Sequence, residues 1–482
     1  MPTLNASPLQ DIFQVFFNPN AVVIIGASRN EYTFNGVLVK NLLEAQYKGK
    51  IWVVHPFTDQ IMGIRCVPSL DELLKRIKSN SPKIDENRDN SESIIPIDQP
   101  DLAIILTPRD LVNNIEQLGK MGIKNIMIEA DLHFDEDKGD RPEIINKILQ
   151  LKTIYDLHIL GPTMIGIIDF AHHFTSSIIP VRSHIISPGK KHQNDGGVSF
   201  LAQSGGLSGA CGWWDPPQNL PFAKVIHIGE AIDITEAQIL EYLFTDSQTK
   251  IIILFLKEIP PRFVQILRQY IKQKPVLYKY VGRENPIERE FQAAGAMPVA
   301  NYVELFEFAK VFLWSPPASL PSVGIIGPSS GAINLLIAEM RQYGIHLAKL
   351  EEKNKDFILQ KIGGSTCKLG NPVDYWPPAE FIGTQICRVY HNASQTLLND
   401  PHVGALFLAL EFFTEIEFDF NIFERIKTKF PDKPIICILI QAEKEGRERI
   451  LRIATDLRIP VFIDEIERGV RAYRYLLNFY QQ

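Results

Sequence analysis

AVVIIGASRN, residues 21–30, decides how the rest of the chain is read. The run Ala21–Ile25 is unbroken and apolar, as a strand buried on both faces of a parallel sheet must be. Gly26-Ala27-Ser28 follows as a turn of small residues, and the stretch from Gly36 to Ala45 is amphipathic with a helical period. The same order recurs in GVSFLAQSGGLSGA (197–210) and in SVGIIGPSSGAINLLIAEM (322–340). After each, short apolar runs alternate with helical segments, which predicts doubly wound α/β domains with parallel sheets.

Strands are expected over 22–25, 51–54, 102–106, 126–128 and 159–160 in the first unit. The second has 198–202, 224–228, 251–256 and 276–279, and the third has 323–326, 346–350, 405–410, 435–440 and 461–463. The second and third share order and spacing, so the expectation is a Rossmann-like domain followed by two related flavodoxin-like domains. Polar, proline-bearing stretches divide them. The expected boundaries are 1–181, 196–314 and 323–482, with linkers at 182–195 and 315–322. SNSPKIDENRDNSESIIPID (79–98) reads as a surface insertion in the first domain.

Composition narrows the function classes. Hydrophobic residues make up 45% of 482, enough for several packed cores, and charged residues 22%. Lys plus Arg number 50 against 56 Asp plus Glu, a net charge of -6 that offers no general basic field for nucleic acid or anionic lipid. Lys190-Lys191-His192 reads as a solvated loop. The five cysteines (Cys66, Cys211, Cys367, Cys387, Cys437) are dispersed and form no CxxC, which supports neither a disulfide framework nor a zinc site. The first residues lack a basic segment before an apolar core, and no apolar run approaches the roughly 20 residues that cross a bilayer. The reading is a soluble, cytoplasmic protein with no metal.

A tight turn between a buried strand and a helix leaves backbone N–H groups unpaired at the positive end of the helix dipole, an anion site most often used for phosphate. Gly26-Ala27-Ser28 fits a nucleotide-type ligand, and it fits equally a turn used for helix–strand packing alone. It is a poor dehydrogenase fingerprint. GxGxxG is absent, and the second strand ends His55-Pro56 without the acidic residue that would hold a ribose diol.

Taken together, IIGAS, YKGKIWVVHP, GIRCVPSLDEL, PDLAIILTP and ILGPTMIGIID resemble, in order and spacing, the CoA-binding domain of acyl-CoA synthetases (NDP-forming) and of the succinyl-CoA synthetase alpha subunit. GVSFLAQSGGLSGA resembles that family's second domain, and GNPVD (370–374) after IIGPSSGAIN its third. The resemblance runs from about residue 12 to 480 and implies CoA or acyl-CoA as ligand. Its position-by-position reading makes Gly26, Ala27, Ser28 and Arg29 the loop on the CoA phosphates. Pro56 and Thr107-Pro108 become walls around the nucleotide end. Two departures stand out: Phe57 follows His55-Pro56 where a lysine is common, and GPNCxG is Gly161-Pro162-Thr163-Met164-Ile165-Gly166. Arg29 and Arg109 are the candidates to supply the missing charge, with surface ion pairs as the alternative.

The resemblance also implies that Ser204-Gly205-Gly206 and Ser329-Ser330-Gly331 are helix N-termini that face each other across one phosphate. In the family that phosphate is carried by a histidine in an SHTG-like loop. Here PVLYKYVGR is joined to EREFQAAGA by Glu284-Asn285-Pro286-Ile287 alone, so the deletion falls on the histidine segment. His227, in IHIGEAID, is the nearest substitute in sequence, with a loop or core role as its alternative; His172-His173, His184 and His192 read as solvated. The family's orienting glutamate has only a weak counterpart in Glu258, one place out of register behind Lys257, which in a strand means the opposite face. Asp374 of GNPVD is expected to fix a turn. Trp213-Trp214 and Phe412-Phe413 read as packing or interface residues.

Three functions are weighed. One is a CoA or acyl-CoA binding protein that has lost the phosphohistidine step. Another is an active ADP-forming acid–CoA ligase alpha subunit, with ATP brought by a separate ATP-grasp beta-type subunit because the chain ends after its third domain. The last is a structural or interaction subunit without ligand.

Overall fold

The computed structural model describes residues 8–80, 99–132, 141–182, 196–214, 218–362, 370–376, 384–411 and 418–481. Most of the polar run 79–98, nearly all of the linker 182–195 with His184 and His192, Cys367 and Phe412-Phe413 lie outside the described residues. The chain is α/β and divides into two compact units. One is Met1–Asp215 with Pro221–Lys274 and Tyr280–Ala294; the other is Pro216–Leu220 with Pro275–Lys279 and Gly295–Gln482.

In the first unit, β1 (Ala21–Ile25), β2 (Lys50–Val54), β3 (Gln60–Ile61), β4 (Ile64–Val67), β5 (Leu102–Ile105), β6 (Asn125–Ile128) and β7 (His158–Leu160) form a sheet of order β3-β4-β2-β1-β5-β6-β7. Only the β3–β4 pairing is antiparallel. Every residue of β1 is buried, which is why AVVII carries no polar alternation. The Asp101 carboxylate fixes the register at the entrance, accepting from the Asn20 and Ala21 amides at 2.9 and 3.1 Å.

A second sheet in the same unit contains β8 (Gly166–Asp169), β9 (Phe174–Thr175), β10 (Gly197–Ala202), β11 (Phe222–His227) and β12 (Thr249–Leu256), in the order β12-β10-β11-β8-β9. β10, β11 and β12 are parallel, and the β8–β9 hairpin runs antiparallel to β11, with Gly166 opposite His227. Sequence patterning did not foresee the hairpin. GIIDFAHHF has too few residues per strand to show a period, and it is buried on both faces. The helix Pro8–Phe17 lies on this sheet's helix Glu236–Thr245, stacking Phe13 and Phe17 on Tyr242 at 4.9 and 5.3 Å between ring centres.

Beneath those rings Lys224 is fully buried, its Nζ 3.0 Å from both Asp169 Oδ2 and Asp246 Oδ2 and 5.3 Å from the Phe17 ring centre. Burial pushes the Asp169 carboxyl upward, but His172 and Lys224 outweigh it and hold the group below the usual carboxylate range. His172 is therefore not a solvated residue: its Nδ1 sits 3.0 Å from Asp169, because the hairpin folds it back over that carboxylate.

In the second unit, β13 (Val276–Tyr280) pairs with β14 (Met297–Pro298). A further parallel sheet has the order β16-β15-β18-β19-β20: β15 (Ser322–Gly327), β16 (His346–Leu347), β18 (Ala405–Glu411), β19 (Ile435–Ile440) and β20 (Val461–Ile463). β17 (Val373–Asp374) also pairs with β15. The strand expected over 346–350 shortens to two residues. Helices Tyr302–Trp314 and Ile466–Tyr480 lie together, joined by Arg468–Glu307 at 2.8 Å and Arg471–Glu304 at 2.6 Å. At β20 the outward amide of Val461 donates to Gln218 Oε1 at 2.7 Å, and its carbonyl accepts from buried Lys310 at 2.5 Å. Gln218 Nε2 also donates to the Ile459 carbonyl at 3.1 Å. Among the described residues no helix is long and apolar enough to cross a membrane.

Truncating Lys224 to alanine leaves two carboxylates buried without their cation. Breaking a buried pair in this way costs about 3–5 kcal/mol, so equilibrium denaturation of Lys224→Ala is expected to show a loss in that range. A loss under about 1 kcal/mol would mean that the cluster is solvated. Because the Asp169 carboxyl is depressed in the fold, its stabilisation is present above the unfolded carboxylate pKa and disappears as pH falls below about 4.

Candidate functional site

After β1 the chain crosses to β2, β4 and β3 on one side, then returns to β5 on the other. β1 and β5 thus bound the topological switch point, where loops leaving neighbouring strands diverge and open a crevice at the carboxyl ends. Gly26 leaves β1 with φ +87°, and a Cβ there would lie 2.6 Å from Thr107 Cγ2 and 3.2 Å from the Thr107 amide nitrogen. Only glycine allows the two turns to approach this closely. Asn35, in the first turn of the helix Phe34–Glu44, holds them together: its Nδ2 donates to the Gly26 carbonyl at 3.0 Å and to the Leu106 carbonyl at 3.2 Å. The Ser28 amide donates back to the Asn35 carbonyl.

Ala27 is buried beneath this turn, while Ser28 Oγ accepts from the Asn30 amide at 3.1 Å and shapes the loop above it. Gly36 abuts the same loop, a Cβ there falling 2.0 Å from the Asn30 carbonyl. The turn Gly26-Ala27-Ser28 and the turn Thr107-Pro108 therefore lie against each other. Pro56 stands exposed just beyond the end of β2, and Phe57 after it is 86% exposed. Arg29 and Arg109 are both exposed, on the β1 and β5 loops respectively.

Two polar groups of this region were not singled out from the sequence. One is Asn35, whose role depends on tertiary placement. The other is Glu129, immediately after β6, which is 5% exposed with the Ser176 hydroxyl beside its carboxyl. Burial pushes its carboxyl well above the ordinary range, against a smaller opposing pull from the Ser176 hydroxyl. The Gly161 turn packs on the same strand end, where a Cβ would meet the Ile128 carbonyl at 2.2 Å.

The carboxyl end of the second sheet assembles another group. Ser204 caps the short helix Gly205–Ala210 in extended conformation, without a side-chain cap bond, and Gly206 is exposed. Gln203 Oε1 accepts from the Lys257 and Glu258 amides at 2.7 and 2.9 Å, tying the exits of β10 and β12 together. The Glu258 side chain is exposed. His227, at the end of β11, accepts a bond at Nδ1 from the Ile165 amide at 3.0 Å, and its Cε1 lies 3.4 Å from where a Gly205 Cβ would be. Beyond β13 the chain turns through Gly282–Asn285, and Asn285 caps the helix Pro286–Ala293 by accepting from the Ile287 amide at 3.1 Å. No histidine occurs anywhere in 276–314.

In the second unit Ser329 caps the helix Ser330–Gln342, accepting from the Ala332 amide at 3.4 Å, and Ser330 and Gly331 are exposed. The GNPVD segment is organised by Asn371 as well as by its aspartate. Asn371 is 1% exposed, accepts from the Ile325 amide at 3.1 Å, and donates to the carbonyls of Val323 and Ala348 at 2.9 and 3.1 Å. Asp374 pairs with Gly327 at the end of β15. Among the described residues no cluster of His, Cys, Asp and Glu is arranged to hold a metal ion.

Residues 20–147 match the family model of a CoA binding domain, and residues 195–312 that of a succinyl-CoA ligase like flavodoxin domain. The chain is 28% identical over 376 residues to the acetate–CoA ligase [ADP-forming] of Methanocaldococcus jannaschii, an overlap covering 74% of this chain and 48% of that protein. It is 25% identical to the acetate–CoA ligase [ADP-forming] II subunit alpha of Pyrococcus furiosus, over 81% of this chain and 80% of that one. The chain thus spans about half the length of the first relative and most of the second. Its fold is shared with the dinucleotide forming acetyl-coenzyme A synthetase 1 of Ca. Korarchaeum cryptofilum, solved with phosphate and ADP. There the TM-score is 0.77 at 19% identity, covering 97% of each chain. A protein from Pyrococcus horikoshii gives a TM-score of 0.78 at 22% identity, over 97% of this chain and 99% of that one.

Replacing Asn35 by alanine withdraws the shared donor from two carbonyls at the switch point. Leaving such groups unsatisfied costs about 1–3 kcal/mol. Asn35→Ala is expected to lower unfolding stability by that amount and to speed amide exchange in the turns after β1 and β5. Unchanged exchange there would show that the turns hold themselves.

Proposed function

We propose that this chain, a relative of the ADP-forming acetate–CoA ligases, binds coenzyme A or an acyl-CoA at the switch point of its first sheet and carries no phosphohistidine of its own. The observation that supports it most is the cradle at Gly26. Asn35 ties the two turns together, and they approach so closely that a Cβ at Gly26 would collide with Thr107 and one at Gly36 with the Asn30 carbonyl. A turn of small residues at the carboxyl end of a parallel sheet suits a phosphate of the nucleotide end. Arg29 and Arg109 lie exposed on the flanking loops, with charge for the remaining phosphates. Exposed Phe57 stands in the position where the resemblance has a lysine, so it offers a stacking face and no charge. The buried carboxyl of Glu129 is a polar group for the pantetheine arm, able as a neutral acid to donate as well as accept. Coenzyme A would supply a thiol, the acceptor of an acyl group.

Three observations support loss of the phosphoryl-carrying step. The turn after β13 is short and closed by the Asn285 cap; no histidine lies in 276–314; and the Glu258 side chain is exposed, with its own amide tied to Gln203. Ser204-Gly205-Gly206 and Ser329-Ser330-Gly331 are proposed as remnants of phosphate-facing turns. The Pyrococcus furiosus relative is an alpha subunit. By the same reading this chain works in the cytoplasm, and any ATP-dependent activity comes with a separate ATP-grasp beta-type subunit.

Calorimetric titration of CoA into the purified chain is expected to show saturable binding. Gly26→Val, which forces a branched side chain against Thr107, is expected to weaken it by at least about tenfold, or ~1.4 kcal/mol. Equal affinity in the variant would refute the cradle, provided its folding is unchanged by circular dichroism. Incubated with ATP, Mg2+, acetate, CoA and an ATP-grasp beta subunit, the chain is expected to form no acetyl-CoA. Turnover in that mixture would establish an active ligase instead.

A further inference from the structure

His227 is the histidine that the fold brings to the phosphate-type turn of the second sheet, and its chemistry can be read from one bond. A backbone amide can only donate, so the bond from Ile165 N–H at 3.0 Å occupies the Nδ1 lone pair. In a neutral imidazole the proton must then reside on Nε2. A histidine that accepts a phosphoryl group at Nε2 needs the opposite arrangement: a bare Nε2, and an Nδ1–H given to a carboxylate or carbonyl. The register keeps this state in place, since Gly166 pairs with His227 across β8 and β11 and so presents the preceding amide to the ring. The ring edge at Cε1 lies against Gly205.

We infer that His227 is fixed as the Nε2–H tautomer and acts as a neutral hydrogen-bond donor to a carbonyl or phosphoryl oxygen brought to the end of β11, and not as a phosphoryl carrier. This rests on the reading of the chain as a synthetase relative only for the identity of the oxygen; the tautomer stands on geometry alone. The surroundings agree. Burial, and then the positive charge of Lys257 after β12, push the imidazole down to about 4, so it is neutral throughout the physiological range. Of the nearby carboxylates, Glu258 after β12 is exposed, and Glu236, pushed upward by burial, is hydrogen-bonded to Gln203.

The test is nuclear magnetic resonance of the full chain, isotope-labelled at the histidine nitrogens, with His227→Asn used to assign the signal. The expected result is a protonated Nε2 and an unprotonated Nδ1 that persist down to about pH 5.5. Separate titrations with inorganic phosphate and with acetate distinguish the two oxygen sources, and at least one is expected to shift the Nε2–H signal. An Nδ1–H tautomer, or transfer of phosphate from acetyl phosphate to His227, would overturn the assignment. Silence towards both anions would overturn the donor role. CoA affinity, read separately by calorimetry at the first sheet, tells failure here from failure of the wider proposal.

Discussion

The contact between the ends of β1 and β5 is the constraint on which the first unit's site depends. Two parallel strands side by side send their following segments to opposite faces of the sheet, so their exits ordinarily part. Here Asn35 holds the Gly26 and Leu106 carbonyls from a single side-chain amide, and Gly26 lacks the atom that would push Thr107 away. Beyond this bond the β1 loop carries exposed Arg29, Asn30, Tyr32 and Thr33, and the β5 loop exposed Arg109. A parallel sheet builds such a floor cheaply, since its strands are already buried and need only their exits arranged.

The strands were legible in the sequence because parallel strands buried on both faces are continuous apolar runs, and AVVII, IIILFL and IICILI cannot be much else. The turns were legible through their small residues. Asn35, Glu129 and Asn371 were not, and the reason is physical. Each is a polar residue whose partners, or lack of them, are set by strands far away in the chain. Asn371 reaches Val323, Ile325 and Ala348, and no local pattern encodes that reach. His227 was visible as a residue but not as a tautomer, because the donor that sets it belongs to a hairpin too short and too buried to show a period.

The molecule also shows where buried charge is tolerated. Lys224 sits between two carboxylates under the rings of Phe17 and Tyr242, a full set of partners that offsets its desolvation. Lys310 instead meets one carbonyl and the Phe462 ring, and burial pushes its ammonium down to about 8. Glu129, with a hydroxyl beside it and no opposite charge to offset its burial, is driven towards its neutral acid. These three cases order themselves by how many opposite dipoles or charges the fold supplies.

The treatment of Val461 bears on solubility. A terminal strand with free amide and carbonyl groups invites a neighbouring molecule to add itself as the next strand, the first step towards aggregation. On β20 both outward groups of Val461 are already engaged, by Gln218 and by Lys310. The Gln218 amide imitates a peptide unit, accepting from one residue and donating to another, without offering a further ladder of its own. Gln218 and Lys310 thus stopper Val461 from two sides, and a stranger's backbone arriving there meets groups already taken.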